Sequence, residues 1–164
     1  MKKLPILLIS VIIINIVLFG LIANIVYSEY LNNGKQLPYF SAVKKDSPQD
    51  IVKEDQIIVT KDNIVINIKG AEWSKYADTN SMEPVISSRA NGLEIVPKCE
   101  NIKSGDIIVY EPNFTNGLIV HRVINVTEDK EGLFFTLKGD NNPISDPEKV
   151  RCSQIKYQVI GIIY

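Results

Sequence analysis

The sequence predicts a mainly β protein, an antiparallel domain carried behind one N-terminal transmembrane helix. Three observations lead there. A run from Leu4 to Ser28 contains no charged side chain and is built mostly of Ile, Leu and Val. After it, short β-branched and aromatic runs recur between Gly- and Pro-containing turn signals, the pattern of antiparallel strands and not of a βαβ sheet. The same stretch shows no helical periodicity, coiled-coil heptad, internal repeat or low-complexity tract.

The first element is the apolar run "LPILLISVIIINIVLFGLIANIVYS". About 20 apolar residues cross a hydrocarbon core as a helix, so this segment spans with length to spare. Asn15, Gly20 and Asn24 weaken it without cancelling it. A cleaved signal peptide has an apolar core of roughly 7 to 15 residues and a small-residue exit; this run is longer, and "ANIVYSEY" offers no such exit. Residues 1–28 are therefore read as a retained anchor. Lys2, Lys3 and the terminal amine precede it, while Glu29 is the first charge after it and Lys35 the first positive one. That balance favours a cytoplasmic N-terminus with the larger domain outside, against a thin counterweight from Lys44 and Lys45.

Residues 29–55 follow as a polar stem punctuated by Gly34, Pro38 and Pro48, and residues 56–164 as the β domain. "QIIVT" and "NIVINIK" flank the polar "KDN" and predict a hairpin, with Ile64, Ile66 and Ile68 on one face. The later strands are expected in "GLEIVP", "GDIIVYEP", "GLIVHRVINV", "GLFFTLKGD" and "YQVIGIIY". In the third of these, simple alternation places Leu118, Val120, Arg122 and Ile124 on one face, and Ile119, His121, Val123 and Asn125 on the other.

The 164 residues make room for one domain of ordinary size. The net charge is −1; setting aside Lys2 and Lys3 leaves 16 basic against 19 acidic residues, or −3, with no basic footprint for nucleic acid. The two cysteines, Cys99 and Cys152, can pair outside the cytoplasm or stand as two buried thiols. One histidine in the whole chain argues against a zinc site of the usual Cys/His types, and no metal or cofactor is expected. "NFT" at Asn113 and "NVT" at Asn125 are glycosylation acceptors if the domain lies outside.

Three residue types in the β domain carry chemistry. Ser81 lies in a loop, within "ADTNSMEPVI". His121 is the only ordinary general base near neutral pH. Asp140 and Asp146 follow a strand in "LKGDNNPISDPEKV". Taken singly, each has a bland explanation: a turn serine, a sheet histidine, loop carboxylates that accept backbone N–H bonds. Together they supply a nucleophile, a base and an orienting acid for acyl transfer, provided that they meet.

Four blocks, "SMEP" (Ser81 to Pro84), "GDIIVYEP" (Gly105 to Pro112), "IVHRVI" (Ile119 to Ile124) and "LKGDNNPISD" (Leu137 to Asp146), stand in an order and approximate spacing that resembles the type I signal peptidases. The resemblance covers Thr79 to Tyr164 and leaves out Glu29 to about Ser74. It implies a signal-peptidase-like β domain and a hydrolase that needs no cofactor. The bacterial branch carries Lys-Arg where this chain has His121-Arg122, so the likeness is to the archaeal and endoplasmic-reticulum branch, which uses Ser, His and Asp. By that resemblance Ser81 is the nucleophile, His121 the base, Asp146 the acid that orients it and Asp140 a supporting acid. Thr79 matches a hydroxyl that assists the oxyanion, and Met82 and Pro84 would shape the substrate groove. Asn80 stands where the family usually has Gly; Asn is among the few residues that tolerate a left-handed backbone. The 54 residues from 27 to 80 make a longer connection to the nucleophile than in relatives of this branch.

The implied partners are signal-peptide-bearing preproteins, the lipid bilayer, and secretion machinery or accessory subunits, with no nucleic acid. The alternatives are a catalytically silent anchored β module, a processing peptidase for a narrow set of surface proteins, and a Ser–Lys hydrolase using Lys138 or Lys103.

Overall fold

A computed structural model describes residues 6–33 and 45–164, with side chains from Ser10 in the first stretch to Ser28 and throughout the second. Lys2, Lys3, Lys35, Lys44 and the middle of the expected stem lie outside the described residues. The chain divides into two compact units, 1–44 and 45–164.

The first unit contains α1 (Ile6–Asn33). Its stretch Ser10–Ser28 is 19 residues long with a mean hydropathy of 2.3, long and apolar enough to cross a membrane; at 1.5 Å per residue it reaches about 28 Å, close to a hydrocarbon core. Every described side chain of it is exposed. Two of its polar side chains turn back onto the helix. Asn15 Nδ2 donates to the Val11 carbonyl at 2.8 Å and Ser28 Oγ to that of Ile25 at 2.9 Å, so neither presents an unsatisfied donor.

The second unit is mainly β. The predicted hairpin forms from β1 (Ile57–Val59) and β2 (Ile64–Ile66), paired with Val59 opposite Ile64. Seven further strands make one curled antiparallel sheet: β3 (Glu72–Lys75), β4 (Asn91–Ile95), β5 (Ile107–Tyr110), β6 (Ile119–Asp129), β7 (Gly132–Lys138), β8 (Val150–Arg151) and β9 (Ile155–Ile163). Their order across the sheet is β3-β4-β9-β5-β6-β7-β8. The sequence reading missed β3 and β8. "EWSK" has one strand-forming residue in four and sits at an edge with three of its four residues exposed, while β8 is two residues long.

The central strand β5 is buried at all four positions. Alternation sends Ile107 and Val109 into a cluster with Met82, Ile86 and Val159, and Ile108 and Tyr110 into another with Val123, Phe135 and Leu137. The first cluster carries the Ser81 loop; the second backs the strand that holds His121.

Strand β6 departs from simple alternation. Val123 faces Leu137 in β7, but Asn125 faces the next β7 residue, Thr136. Ile124 is the extra residue of a bulge. Asn125, expected on the His121 face, therefore lies on the opposite one, and Val126 takes the inward place against Phe135. The chain just before the hairpin is fastened to the same sheet. Asp106, fully buried, accepts the backbone N–H of Gln49 at 2.9 Å and its side-chain amide at 2.6 Å. Cys99 and Cys152 form a disulfide, with Cα atoms 5.6 Å apart. This decides between the two states that the sequence left open.

Candidate active site

His121 pairs with Ile108 across β5 and β6, so its ring points to the same face as Tyr110. The ring is 5% exposed. Its Nδ1 lies 2.7 Å from Asp146 Oδ2 and 2.9 Å from Oδ1. Asp146 is set by its own backbone N–H, which donates to the Leu137 carbonyl at 2.8 Å. The Tyr110 hydroxyl donates to the same Oδ2 at 2.8 Å. Burial first, then the Asp146 carboxylate, pushes the Tyr110 pKa well above the ordinary phenol value, which keeps this hydroxyl a donor at any working pH.

A carboxylate on Nδ1 fixes the proton there and leaves Nε2 as the acceptor. Nε2 makes no hydrogen bond among the described residues, and no buried side-chain nitrogen in them lacks a partner. It is therefore not sealed from solvent, and His121 lines a groove. That groove has a volume of about 510 Å³ and is also lined by Thr79, Ser81 and Asn142, with Val109 and Val120 as apolar floor. Ser81 and His121 thus face one space.

The Ser81 loop is built for close approach. Asn80 adopts φ +58°, the left-handed region that Asn tolerates and bulkier residues avoid. Ser81 Oγ lies 3.1 Å from Thr79 Oγ1. The Ser81 carbonyl accepts the Asn141 N–H at 2.9 Å, and the Asn80 carbonyl accepts Asn141 Nδ2 at 3.1 Å. Gly139 makes this contact possible: a Cβ there would fall 2.5 Å from the Ser81 carbonyl oxygen and 2.8 Å from Asn142 Nδ2. The turn after β7 is latched onto the serine loop by its backbone.

Asp140 takes a different partner from Asp146. Arg122 grips it with two bonds, Nε to Oδ1 at 2.7 Å and Nη2 to Oδ2 at 2.6 Å, while Nη1 donates to the Gly105 carbonyl at 2.8 Å. Asp140 therefore holds the turn through Arg122, and His121 meets Asp146. Met82 and Pro84, expected at the groove, are not among its lining residues. Met82 is 2% exposed in the core beneath, where its sulfur receives the Asp140 N–H at 3.4 Å; Pro84 is exposed, with its carbonyl facing Tyr164. Of the two lysines weighed as a base, Lys138 donates to the Asn142 carbonyl and Lys103 is exposed; neither lines the groove. No group of three or more His, Cys, Asp or Glu side chains able to hold a metal occurs among the described residues.

The sequence reading missed Tyr110. Its signal was present in alternation: two residues beyond Ile108, the partner of His121, it had to share the histidine's face.

No protein-family model matches the chain. It is 29% identical over 86 residues to Signal peptidase I W of Bacillus subtilis, covering 51% of this chain and 44% of that protein. It is 37% identical over 68 residues to the signal peptidase complex catalytic subunit SEC11 of Scheffersomyces stipitis, covering 42% and 40%. An uncharacterized protein of Methanocaldococcus jannaschii is 52% identical over 44 residues, 27% of this chain and 22% of that protein. The matches span between 22% and 44% of the length of these relatives. The partial similarities to signal peptidases support kinship with that family, and the curled antiparallel sheet behind one apolar helix is consistent with its β domain.

Proposed function

We propose that this chain is a membrane-anchored serine endopeptidase that removes signal peptides from exported preproteins, with Ser81 as nucleophile, His121 as general base and Asp146 as its orienting acid. The observation that carries the reading is the bond that His121 Nδ1 donates to Asp146 at 2.7 Å, in a histidine that lines the same groove as Ser81. A His in this place, with neither Lys138 nor Lys103 lining the groove, favours the archaeal and endoplasmic-reticulum branch over the Ser–Lys one.

The chemistry follows from these groups. His121 Nε2 takes the Ser81 proton as Oγ attacks the scissile carbonyl. The imidazolium, stabilised by Asp146, returns that proton to the leaving amine as the C–N bond breaks. A water, deprotonated by the same nitrogen, then attacks the acyl ester and frees the serine. The Ser81 backbone N–H makes no hydrogen bond among the described residues, so it is available to the developing oxyanion, with Thr79 Oγ1 as the second donor. Tyr110 and Arg122–Asp140 act as positioning groups.

In this reading residues 1–28 anchor the protein with a cytoplasmic N-terminus, and the β domain works outside. Residues 29–55 form the stem, and its last part, from Lys45, is fastened to the sheet. The Cys99–Cys152 bridge favours an oxidising compartment. A substrate whose apolar segment shares the bilayer meets the groove at raised local concentration. The test is cleavage of a model preprotein by the full chain in detergent or membranes: Ser81→Ala and His121→Ala are each expected to abolish it. Full activity in either variant overturns the assignment.

A further inference from the structure

The same groove holds a feature that hydrolysis does not use. Glu94, in β4, lines the groove and is 4% exposed. Its Oε1 accepts from Ser74 Oγ at 2.6 Å and from the Tyr76 hydroxyl at 3.2 Å. Its Oε2 makes no hydrogen bond among the described residues; since no buried side-chain oxygen in them lacks a partner, Oε2 is open to solvent. Glu72, exposed and lining the same groove, lies directly opposite Glu94 in the β3–β4 register.

Two carboxylates facing one another across a strand pair repel. Hydroxyls alone, Tyr157 at Glu72 and Ser74 and Tyr76 at Glu94, serve them, and a carboxylate as buried as Glu94 is usually paired with a cation. Neither forms an ion pair among the described residues. Lys75 also lines the groove, but alternation turns it away from the Ser74 face and it pairs with neither acid. The arrangement is specifically accommodated. Opposite Ser74 stands Gly92, where a Cβ would fall 2.0 Å from the Tyr76 hydroxyl and 2.5 Å from Ser74 Oγ. Any larger residue would push both hydroxyls off Glu94.

We propose that Glu94 and Glu72 form a subsite for a positively charged group of the bound polypeptide, a Lys or Arg side chain close to the scissile bond. The proposal rests on reading the groove as the place where a peptide is held for cleavage. It adds a charge preference to that reading: the apolar walls accept small or aliphatic side chains, and this corner selects a cation.

The test uses the full chain in lipid nanodiscs and peptides in which one Lys is walked through the positions around the cut, each compared with norleucine at the same place. Binding is read in the Ser81→Ala protein from the fluorescence of Trp73, the sole tryptophan, which lines the groove and is 57% exposed; cleavage is read in the unsubstituted protein. At one position Lys is expected to bind about tenfold tighter than norleucine, the scale of a charge-assisted hydrogen bond. Glu94→Gln and Glu72→Gln are each expected to shrink that ratio, and Glu72→Lys to reverse it in favour of a Glu-containing peptide. Because Glu72 is exposed, its variants carry the test even if Glu94→Gln does not fold. A Lys-to-norleucine ratio near one at every position overturns the subsite whether or not the peptides are cut. Charge-dependent binding without any cleavage by the unsubstituted protein instead removes the peptidase reading and leaves the subsite standing.

Discussion

A histidine acts as a base only from the tautomer that its neighbour enforces, and in the mechanism proposed for His121 that neighbour is Asp146. Asp146→Asn preserves shape but offers an amide to Nδ1, so kcat for preprotein cleavage is expected to fall on the order of 10³-fold or more, with KM little changed. Tyr110→Phe is milder. It removes the second donor to Asp146 Oδ2, and kcat should drop about tenfold, with a loss of about 1–2 kcal/mol in stability. It also has a pH signature. The Tyr110 pKa is raised in the folded chain from its ordinary 10.0, so the unfolded chain ionises first and stability declines as pH rises above that value. Urea titrations between neutrality and strong alkali should show a shallower decline in Tyr110→Phe than in the parent, the remainder coming from Tyr76, which burial shifts the same way, and from Tyr157, raised by its bond to Glu72. At this scale the sequence was legible for the residue types and silent on their partners. Both aspartates of "GDNNPISD" were candidates, and only the fold of that bend assigns Asp140 to Arg122 and Asp146 to the ring. Glu94 went unread because its meaning depends on Ser74, in a strand that the sequence did not reveal, and on Tyr76 just after it.

Among the elements, the turn after β7 has the most to lose from a single methyl group. Gly139→Ala places a carbon against the Ser81 carbonyl; the turn must lift and give up the Asn141 bond that latches the serine loop. The expected result is a fall of about tenfold or more in kcat/KM with a thermal midpoint lowered by only a few degrees, measured by cleavage assay and calorimetry. Strand positions were readable where β-branched residues cluster, as in "IIVY" and "IVHRV", because such side chains fit a pleated, half-buried surface. β3 was not, since an edge strand needs little hydrophobicity to be held by its one neighbour. The bulge at Ile124 was invisible for a different reason: an extra residue in a strand leaves no mark on composition and shows only against its partner's register.

For the molecule as a whole, the Cys99–Cys152 bridge closes a loop spanning 53 residues of separation. In the chain-entropy account that is worth about 4 kcal/mol. Cys99→Ser with Cys152→Ser is expected to lower the melting temperature of the full chain on the order of 10 °C, and reductant should do the same to the parent and nothing to the variant. The apolar helix and the antiparallel sheet were legible from hydropathy and turn signals alone, whereas pairing of the two cysteines depends on where the fold brings residues distant in sequence. The bulge carries a last consequence. On the near side of Ile124 the pairing of β6 presents an imidazole to the groove and a guanidinium to Asp140; a slip by one residue would exchange them and leave the serine facing an arginine. Because the surplus residue confines the change of register to the far half of the ribbon, the near half keeps Ile108 opposite His121 and Ile107 opposite Arg122.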